Sequence, residues 1–319
     1  MPLLSSRHLL LAALCCAPLL AASPARANCC VFEDPLVAVS DVAARSGALR
    51  LSLDGESSAS SAAMDAMPGL RHEVAQTTLR LFAVYSPVEL LNVVVVAPFA
   101  RRAWRAVDTG MGMATVTDSG TQSGIGDLDV GVRYALWRRV RFIPRALDDV
   151  FVRAEVLALS AGASLPTGDA DASRDGQRLD QMLQIGSGAW GPYLGLTYRW
   201  RQEAWDVVLS GSGRLRTRSA NDYRYGNALY LGAEVQYLAI ERVTLGIGLD
   251  GRAAGRDVEM GDAVRSSGGL ILYAAPSVSV GLGEGFALRA RGQLPLAARL
   301  GGDQAVAPSW LIGLQYAVR

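Results

Sequence analysis

Apolar side chains alternate with small or charged ones along several long segments of this sequence, and that pattern sets the fold class. The clearest segments are residues 126–137, 225–237, 242–251 and 310–318. In each, nearly every second residue is valine, leucine, isoleucine or tyrosine, whereas the residues between them are mostly glycine, alanine, arginine, acidic or amide residues. A period of two is the signature of a β-strand with two different faces.

The residues between the apolar positions, on the second face of each strand, distinguish a soluble β-sandwich from a closed barrel. Water covers that face in a soluble sandwich, where lysine, glutamate, threonine and serine are common. Here it is rich in glycine and alanine, and small residues fit the inner wall of a barrel, where space is limited. Half of the chain is apolar, yet after residue 27 no apolar run of about 18 residues remains for a spanning helix. The sequence therefore predicts an all-β fold, an antiparallel transmembrane β-barrel.

We predict twelve strands, an even number as bacterial barrels require. They are residues 48–54, 74–85, 90–98, 126–137, 150–162, 181–200, 205–215, 225–238, 242–252, 269–281, 285–296 and 308–318. The connections alternate between long segments rich in Gly, Ser, Asp and Arg, such as 55–73 and 99–125, and short turns; only 139–149 breaks the pattern. This alternation is typical of outer-membrane barrels with long extracellular loops, short periplasmic turns and periplasmic termini.

The first 27 residues have the features of a cleaved signal peptide. Arg7 supplies the positive charge, Leu9 to Ala22 form a short apolar region, and Ala25-Arg26-Ala27 is a small-residue cleavage site. We therefore expect residues 1–27 to be removed, residues 28–47 to form a periplasmic N-terminal arm, and residues 48–319 to form a barrel in the outer membrane of a Gram-negative cell.

The composition excludes several classes of function. The formal net charge is +1, so no basic excess is present for nucleic acid. The chain contains no lysine, which excludes the Walker A loop and nucleophilic sites built on S-x-x-K. Outer-membrane lipid and a small-molecule solute are the predicted partners, and no cofactor is expected.

Two cysteines remain after cleavage, Cys29 and Cys30. Because they are adjacent, they cannot join distant segments of the chain. A strained disulfide between neighbours, a metal or haem contact, and an idle pair all remain open.

A single histidine, His72, remains after cleavage. Barrel hydrolases use a histidine base, and serines 57, 58, 60 and 61 with Glu73 and Asp65 lie near His72 in sequence. The favoured interpretation is a solvated loop histidine in a flexible serine-rich segment. One histidine excludes a multi-histidine zinc site, and no metal site is predicted.

Polar residues on the small-residue face are predicted to line the lumen. Arginines opposite acids there would either brace the wall or set a transverse field across a pore; for the residues around 127–133 bracing is the favoured role. The lumen candidates are Asp127, Asp129, Arg133, Arg153, Glu155, Arg199, Asp206, Glu234, Gln236, Arg289 and Arg291.

Two motifs resemble a known family. Gly124-Ile-Gly-Asp-Leu-Asp-Val-Gly-Val-Arg-Tyr134 matches a G-x-G-D-x-x-x-G-x-R-Y strand, and Leu165-Pro-Thr-Gly168 matches an L-P-T-G loop opening. Together they resemble the outer-membrane proteins named for the MetA pathway of phenol degradation, most clearly over residues 90–240. The resemblance implies a monomeric barrel that takes up small hydrophobic or aromatic compounds.

The sequence thus favours a transport barrel with a narrow or partly plugged lumen. A structural or surface-binding barrel acting through loops 99–125 and 253–268 is the first alternative. An outer-membrane hydrolase using His72 is the second.

Overall fold

The structure is a computed structural model. It describes residues 46–63, 69–108, 115–146, 149–240, 242–302 and 304–318, and the side chains of 142–152 and 239 are not described. The signal peptide, Cys29 and Cys30 therefore lie outside the described residues, as does nearly all of the N-terminal arm.

Almost every described element is a strand. The strands are β1 (Ala48–Ala63), β2 (Leu70–Val88), β3 (Leu91–Asp108), β4 (Thr115–Ile125), β5 (Leu128–Ala146), β6 (Asp149–Leu165), β7 (Ser173–Arg174), β8 (Gln177–Arg178), β9 (Gly191–Gln202), β10 (Trp205–Arg214), β11 (Tyr223–Arg224), β12 (Ala228–Ile240), β13 (Val243–Ala254), β14 (Val258–Glu259), β15 (Asp262–Ala263), β16 (Gly269–Gly283), β17 (Phe286–Leu300), β18 (Ala305–Val306) and β19 (Ser309–Val318). One 3-10 turn covers Gln181–Leu183. Across the described ranges, no helix is long and apolar enough to span a membrane.

The main sheet closes on itself. Each long strand pairs antiparallel with the next along the chain, and β1 pairs with both β2 and β19. Strands β4 and β5 form one interrupted crossing, since both pair with β3 and only residues 126–127 separate them. Counted this way, the described chain makes twelve crossings, which confirms the predicted twelve-stranded antiparallel barrel.

Four predicted boundaries are wrong, and three of them concern strands that are longer than predicted. Strands β1 and β2 continue through the serine-rich residues 57–63 and through His72, because the ladder between them is complete over this polar stretch. Residues 99–125 are mostly strand, since the ladder between β3 and β4 continues as far as Asp108 and Thr115, and residues 109–114 lie outside the described residues. Likewise β5 continues to Ala146 and β6 begins at Asp149, so most of 139–149, the connection that broke the predicted alternation, is strand.

The fourth wrong boundary concerns residues 181–200. The strand there begins only at Gly191, and residues 181–190 belong to a loop that folds into the barrel. Gln181 and Leu183 are buried against other loop and lumen residues, so their apolar and amide character reflects packing inside the barrel rather than membrane contact.

The two faces of the strands differ as predicted. Leu245, Ile247 and Leu249 on β13 are about half exposed, at 50%, 57% and 49%, because they point away from the lumen. Aromatic side chains such as Trp205 and Tyr237, whose ring centroids are 4.7 Å apart, lie on the outside near the short turns. An apolar belt bordered by an aromatic girdle is the outer surface of a barrel in the outer membrane.

Glycines on the inner face make room for charged side chains. A Cβ atom on Gly313 would lie 2.1 Å from the Asp54 carboxylate and 2.9 Å from Nε of Arg289, and these two residues form an ion pair. A Cβ on Gly246 would lie 2.9 Å from Oε1 of Glu234. The small residues noted in the sequence therefore leave space for a polar network inside the barrel wall.

Candidate functional site

The loop between β6 and β9, residues 166–190, folds into the barrel and is called the inward loop below. It contains the short hairpin β7–β8 and the 3-10 turn. Its residues Gln181, Leu183 and Gln184 are each at most 2% exposed. The predicted turn at residues 166–168 thus leads the chain into the lumen and not simply away from the membrane.

Asp127 fastens the inward loop to the barrel wall. Its carboxylate accepts hydrogen bonds from the backbone N–H of Gly168 at 3.0 Å and of Ser187 at 2.9 Å, and from the Ser187 hydroxyl. These donors lie at the two ends of the loop. One carboxylate therefore closes the loop at its base, and Asp127 contacts the loop rather than forming the ion-pair cluster that the sequence suggested.

The two sequence motifs meet at these contacts of Asp127 with Gly168 and Ser187, which are called the Asp127 clamp below. Thr167 of the L-P-T-G motif accepts a hydrogen bond from the Leu128 N–H at 2.9 Å. Gly168 packs directly on Gly186 and Gly126, since an added Cβ on Gly168 would lie 2.7 Å and 3.0 Å from their Cα atoms. Glycine at all three positions lets the loop backbone approach the wall closely.

Arg102 on β3 holds the middle of the inward loop. Its Nη1 donates to the carbonyl oxygens of Met182 and Gln184, both at 2.6 Å, and its Nε and Nη2 donate to Oε1 of Gln76. A guanidinium that bridges two carbonyls fixes the 3-10 turn against the β2–β3 wall.

His72 lies close to this anchor and is not the solvated loop residue that was predicted. It is 7% exposed, and its Nδ1 lies 3.4 Å from the sulfur of Met182. Its ring centroid is 6.1 Å from that of Trp104. His72 is buried because β2 extends above the membrane and the inward loop covers its inner face.

A second group of hydrogen-bonded loop residues lies at the extracellular mouth. The Tyr223 hydroxyl donates to Asp257 at 2.6 Å, and the same carboxylate accepts from the Gly226 N–H at 2.7 Å. Burial raises the pKa of Tyr223 well above its ordinary value, and it raises the pKa of Tyr225 to about 12. Both phenols therefore stay protonated, and the Tyr225 hydroxyl lies 3.2 Å from the Gln181 amide of the inward loop.

A cavity of about 1100 Å³ lies inside the barrel between the inward loop and the wall. The β2–β3 side has an apolar patch formed by Phe82, Val96, Pro98 and Ala100. Polar side chains border this patch, namely Gln76, Thr78, Arg80 and Arg102. The side formed by β10, β12 and β13 carries arginines and a tyrosine. No group of three or more His, Cys, Asp or Glu side chains in the described ranges is placed to hold a metal ion.

Most of the predicted lumen residues point inward and form ion pairs. Asp206 pairs with Arg199, and Arg289 pairs with Asp54. Arg291 joins Glu234 to Asp250, whose Oδ1 lies 2.8 Å from Nη2 of the arginine. The remaining inward candidates are Asp129, 3.5 Å from Arg214, Arg133, which is fully buried, and Gln236, which donates to Glu234 at 3.0 Å.

Arg153 and Glu155 are placed on the outer face, contrary to the prediction. Ala158 and Ser160 on β6 are fully buried and face the lumen, so by strand alternation residues 153 and 155 face outward. They bind each other at 2.7 Å. Glu155 is opposite Trp200, at the end of β6 near the short turns, where a charge can face outward because the hydrocarbon layer has ended.

Several residues of the site were not identified from the sequence. Arg102, Gln181, Gln184, Tyr223 and Asp257 all lie in segments that had been assigned to loops or to a strand interior. The two motifs did contain a signal for the contact between Asp127 and the inward loop. Asp127 directly precedes β5 and the L-P-T-G turn ends β6, and the two lie side by side because Leu128 pairs with Leu165.

The motif glycine at 131 has a steric role that can be tested. An added Cβ would lie 2.3 Å from the Tyr193 hydroxyl and 2.9 Å from the Ala161 carbonyl. We expect Gly131→Ala to lower the free energy of unfolding by about 1–3 kcal/mol, as overpacking does, measured by urea unfolding in detergent micelles. Tyr193→Ala in the same chain should recover part of the loss.

The control is Gly124→Ala in the same motif, where nothing lies within 4 Å of the added Cβ. It should change stability by no more than about 0.5 kcal/mol. Equal losses for the two alanine variants would show that the Tyr193 contact is not the reason for glycine at 131.

Comparisons with known proteins agree with this architecture. The family model described as "Putative MetA-pathway of phenol degradation" matches residues 45–305. No curated protein matches the chain in sequence. Among solved structures, the COG4313 outer membrane channel from Pseudomonas putida F1 is similar with a TM-score of 0.61 and 16% identity, over 88% of this chain and 98% of that one.

Other barrels are similar at lower scores. The translocator domain of the autotransporter NalP from Neisseria meningitidis has a TM-score of 0.46 and 14% identity, over 88% of this chain and 92% of that one. A Pseudomonas aeruginosa FadL homologue has a TM-score of 0.39 and 9% identity, over 92% of this chain and 98% of that one. At these identities the likeness concerns the fold alone.

Proposed function

Because the chain belongs to the family of the MetA pathway of phenol degradation, we propose that it is a monomeric outer-membrane channel for small hydrophobic or aromatic compounds. The observation that carries the proposal is the cavity of about 1100 Å³ between the barrel wall and the inward loop. Cavities of about 300–1,000 Å³ hold drug-sized ligands, so there is room for a compound of one or two rings.

The cavity wall suits such a solute. Phe82, Val96 and Pro98 offer an apolar surface on one side, and Met182 and Ile185 add apolar contacts from the inward loop. The P. putida protein of similar fold is itself an outer membrane channel. The inward loop narrows the lumen, which separates this barrel from a wide, water-filled pore.

The experiment is uptake of a radiolabelled monocyclic aromatic compound by cells that carry or lack the protein. Ala100 lines the cavity and is 5% exposed, so Ala100→Trp should fill the cavity and reduce uptake about tenfold or more. Ala233 is exposed on the lipid-facing side of β12, and Ala233→Trp should leave uptake unchanged. Equal uptake by cells with and without the barrel would refute the channel function.

Two other functions receive less support. For a hydrolase, the contact made by His72 in the described residues is with the Met182 thioether and not with a serine hydroxyl. For a surface-binding barrel, residues of the 253–268 loop such as Asp257 and Ser267 are hydrogen-bonded within the mouth and line the cavity. Their placement is accounted for by closure of the channel.

A further inference from the structure

Tyrosines and arginines alternate along the inner wall at one side of the cavity, where Arg214, Tyr230 and Arg252 line it and Tyr193 lies behind Arg214. Tyr193 on β9 is directly opposite Arg214 on β10, and Tyr230 on β12 is directly opposite Arg252 on β13. Each guanidinium lies over its tyrosine ring, at 5.3 Å for Arg214 and 5.8 Å for Arg252. Guanidinium and phenol thus alternate across four neighbouring strands of the barrel.

A third stack extends this wall into the mouth. Arg216, just after β10, lies over the Tyr225 ring at 5.8 Å. Stacking uses the face of a guanidinium, whereas its N–H donors lie in the plane, where they suit the two oxygens of a carboxylate. Arg214, Arg216 and Arg252 all line the cavity.

The apolar patch on β2 and β3 lies across the lumen from this wall. In the cyclic order of the twelve crossings, β2 and β12 are six apart, and so are β3 and β13. A solute between them meets Phe82 and Val96 on one side and the stacked guanidinium groups on the other. The two arginines on the β2–β3 side are engaged elsewhere, because Arg80 pairs with Glu56 and Arg102 holds the inward loop. That arrangement is complementary to a molecule with an aromatic ring at one end and a negative charge at the other.

Three of the six acids that line the cavity are held by donors other than the stacked arginines. Asp127 accepts from the base of the inward loop, Asp257 accepts from Tyr223 and Gly226, and Asp180 accepts from the Met182 N–H at 3.1 Å. Asp129 is 3.5 Å from Arg214 and is the acid nearest to the stacked wall. Glu259 and Asp262 lie on β14 and β15 at the mouth.

We propose that the cavity is selective for aromatic carboxylates and binds them more tightly than neutral aromatic compounds of the same shape. The proposal rests on the channel function and names the solute class for it. The apolar patch on β2 and β3 and the inward loop contact the aromatic ring. Arg214 and Arg252 bind the carboxylate through charge-assisted hydrogen bonds.

The experiment compares benzoate with benzamide, its neutral isostere, by calorimetric titration of the full folded barrel in detergent. Benzoate should bind about tenfold more tightly, the effect of one charge-assisted pair. Arg252→Gln should reduce the ratio of the benzoate to the benzamide binding constant. The double variant with Arg214→Gln and Arg252→Gln should bring this ratio near one, while benzamide binding changes less than about twofold. Equal binding of the two ligands to the unaltered barrel would overturn the proposal.

Arg218 provides the matched control, since its side chain is 55% exposed and pairs with Asp222 outside the cavity lining. Arg218→Gln should keep the full benzoate preference. A benzoate preference that survives in the double variant would also overturn the proposal. If the double variant does not fold, the ratio of benzoate to benzamide binding in the unaltered barrel and in Arg252→Gln still decides. A barrel that prefers benzoate but gives no uptake would fail the channel function and not the selectivity.

Discussion

Asp127→Ala should release the inward loop and widen the channel. The change leaves the N–H groups of Gly168 and Ser187 without the carboxylate that accepts from both. Because both bonds are only part-buried, each donor left without a partner costs about 1 kcal/mol, the lower end of the range for buried groups. The detached state should therefore gain population by about 10- to 100-fold. Single-channel recording in planar bilayers should show larger and more frequent openings.

Two further variants separate loop release from loss of charge. Asp175 lies on the same loop with a side chain 92% exposed, so Asp175→Ala should leave the openings unchanged. Gly186→Val should disrupt the Asp127 clamp by a steric clash, because even its Cβ would lie 2.3 Å from the Gly168 carbonyl carbon. The single-channel recordings of this variant should therefore resemble those of Asp127→Ala. If Asp127→Ala and Asp175→Ala behave alike, the Asp127 clamp does not control the lumen.

The barrel strands were predictable wherever one face meets lipid and the other the lumen. On β13, four apolar residues alternate with threonine, glycine and aspartate, and the observed Val243–Ala254 lies close to the predicted 242–252. Contact with the bilayer requires every second residue of such a strand to be apolar, so the alternation in the sequence locates the strand. Beyond the membrane that force ends, and β1 continues through serines that carry no such pattern.

The direction in which a charge points was predictable for the same reason and only over the same depth. Arg289 and Arg291 sit at mid-strand on β17, where an outward arginine would cost about 2–4 kcal/mol, and both face the lumen. Arg153 lies at the periplasmic end of β6, where that cost is absent, so charge alone could not assign its side. The register of neighbouring buried residues, such as Ala158, was the better guide.

The inward loop was not predictable from local pattern. Met182, Leu183 and Ile185 are apolar like residues of a strand. Leu183 packs against Val74 and Trp104 of the inner wall, whereas Met182 and Ile185 line the cavity. Their environment is set by Asp127 and Arg102, which are 50 or more residues away in sequence. Local propensity contains no record of such distant contacts, whereas the pair of family motifs does mark their position.

Arg291→Ala should cause the largest loss of stability among single changes in the barrel. Its guanidinium binds Glu234 and Asp250 together, and all three side chains are at most 17% exposed. Removing the arginine leaves two buried carboxylates facing each other without a shared cation, and breaking a buried pair costs about 3–5 kcal/mol. Urea unfolding in detergent micelles, followed by tryptophan fluorescence, measures the change.

The matched control is Arg201→Ala. Arg201 is 48% exposed, and its partner Asp206 keeps the ion pair with Arg199, so the loss should be at most about 1 kcal/mol. Arg291→Lys should recover only part of the loss, since one ammonium cannot serve both acids with a planar fork. Combining Glu234→Gln, Asp250→Asn and Arg291→Gln should recover most of it, because no charge is then left unpaired. Equal losses for Arg291→Ala and Arg201→Ala would mean that the acids find water inside the lumen, and that the network does not brace the wall.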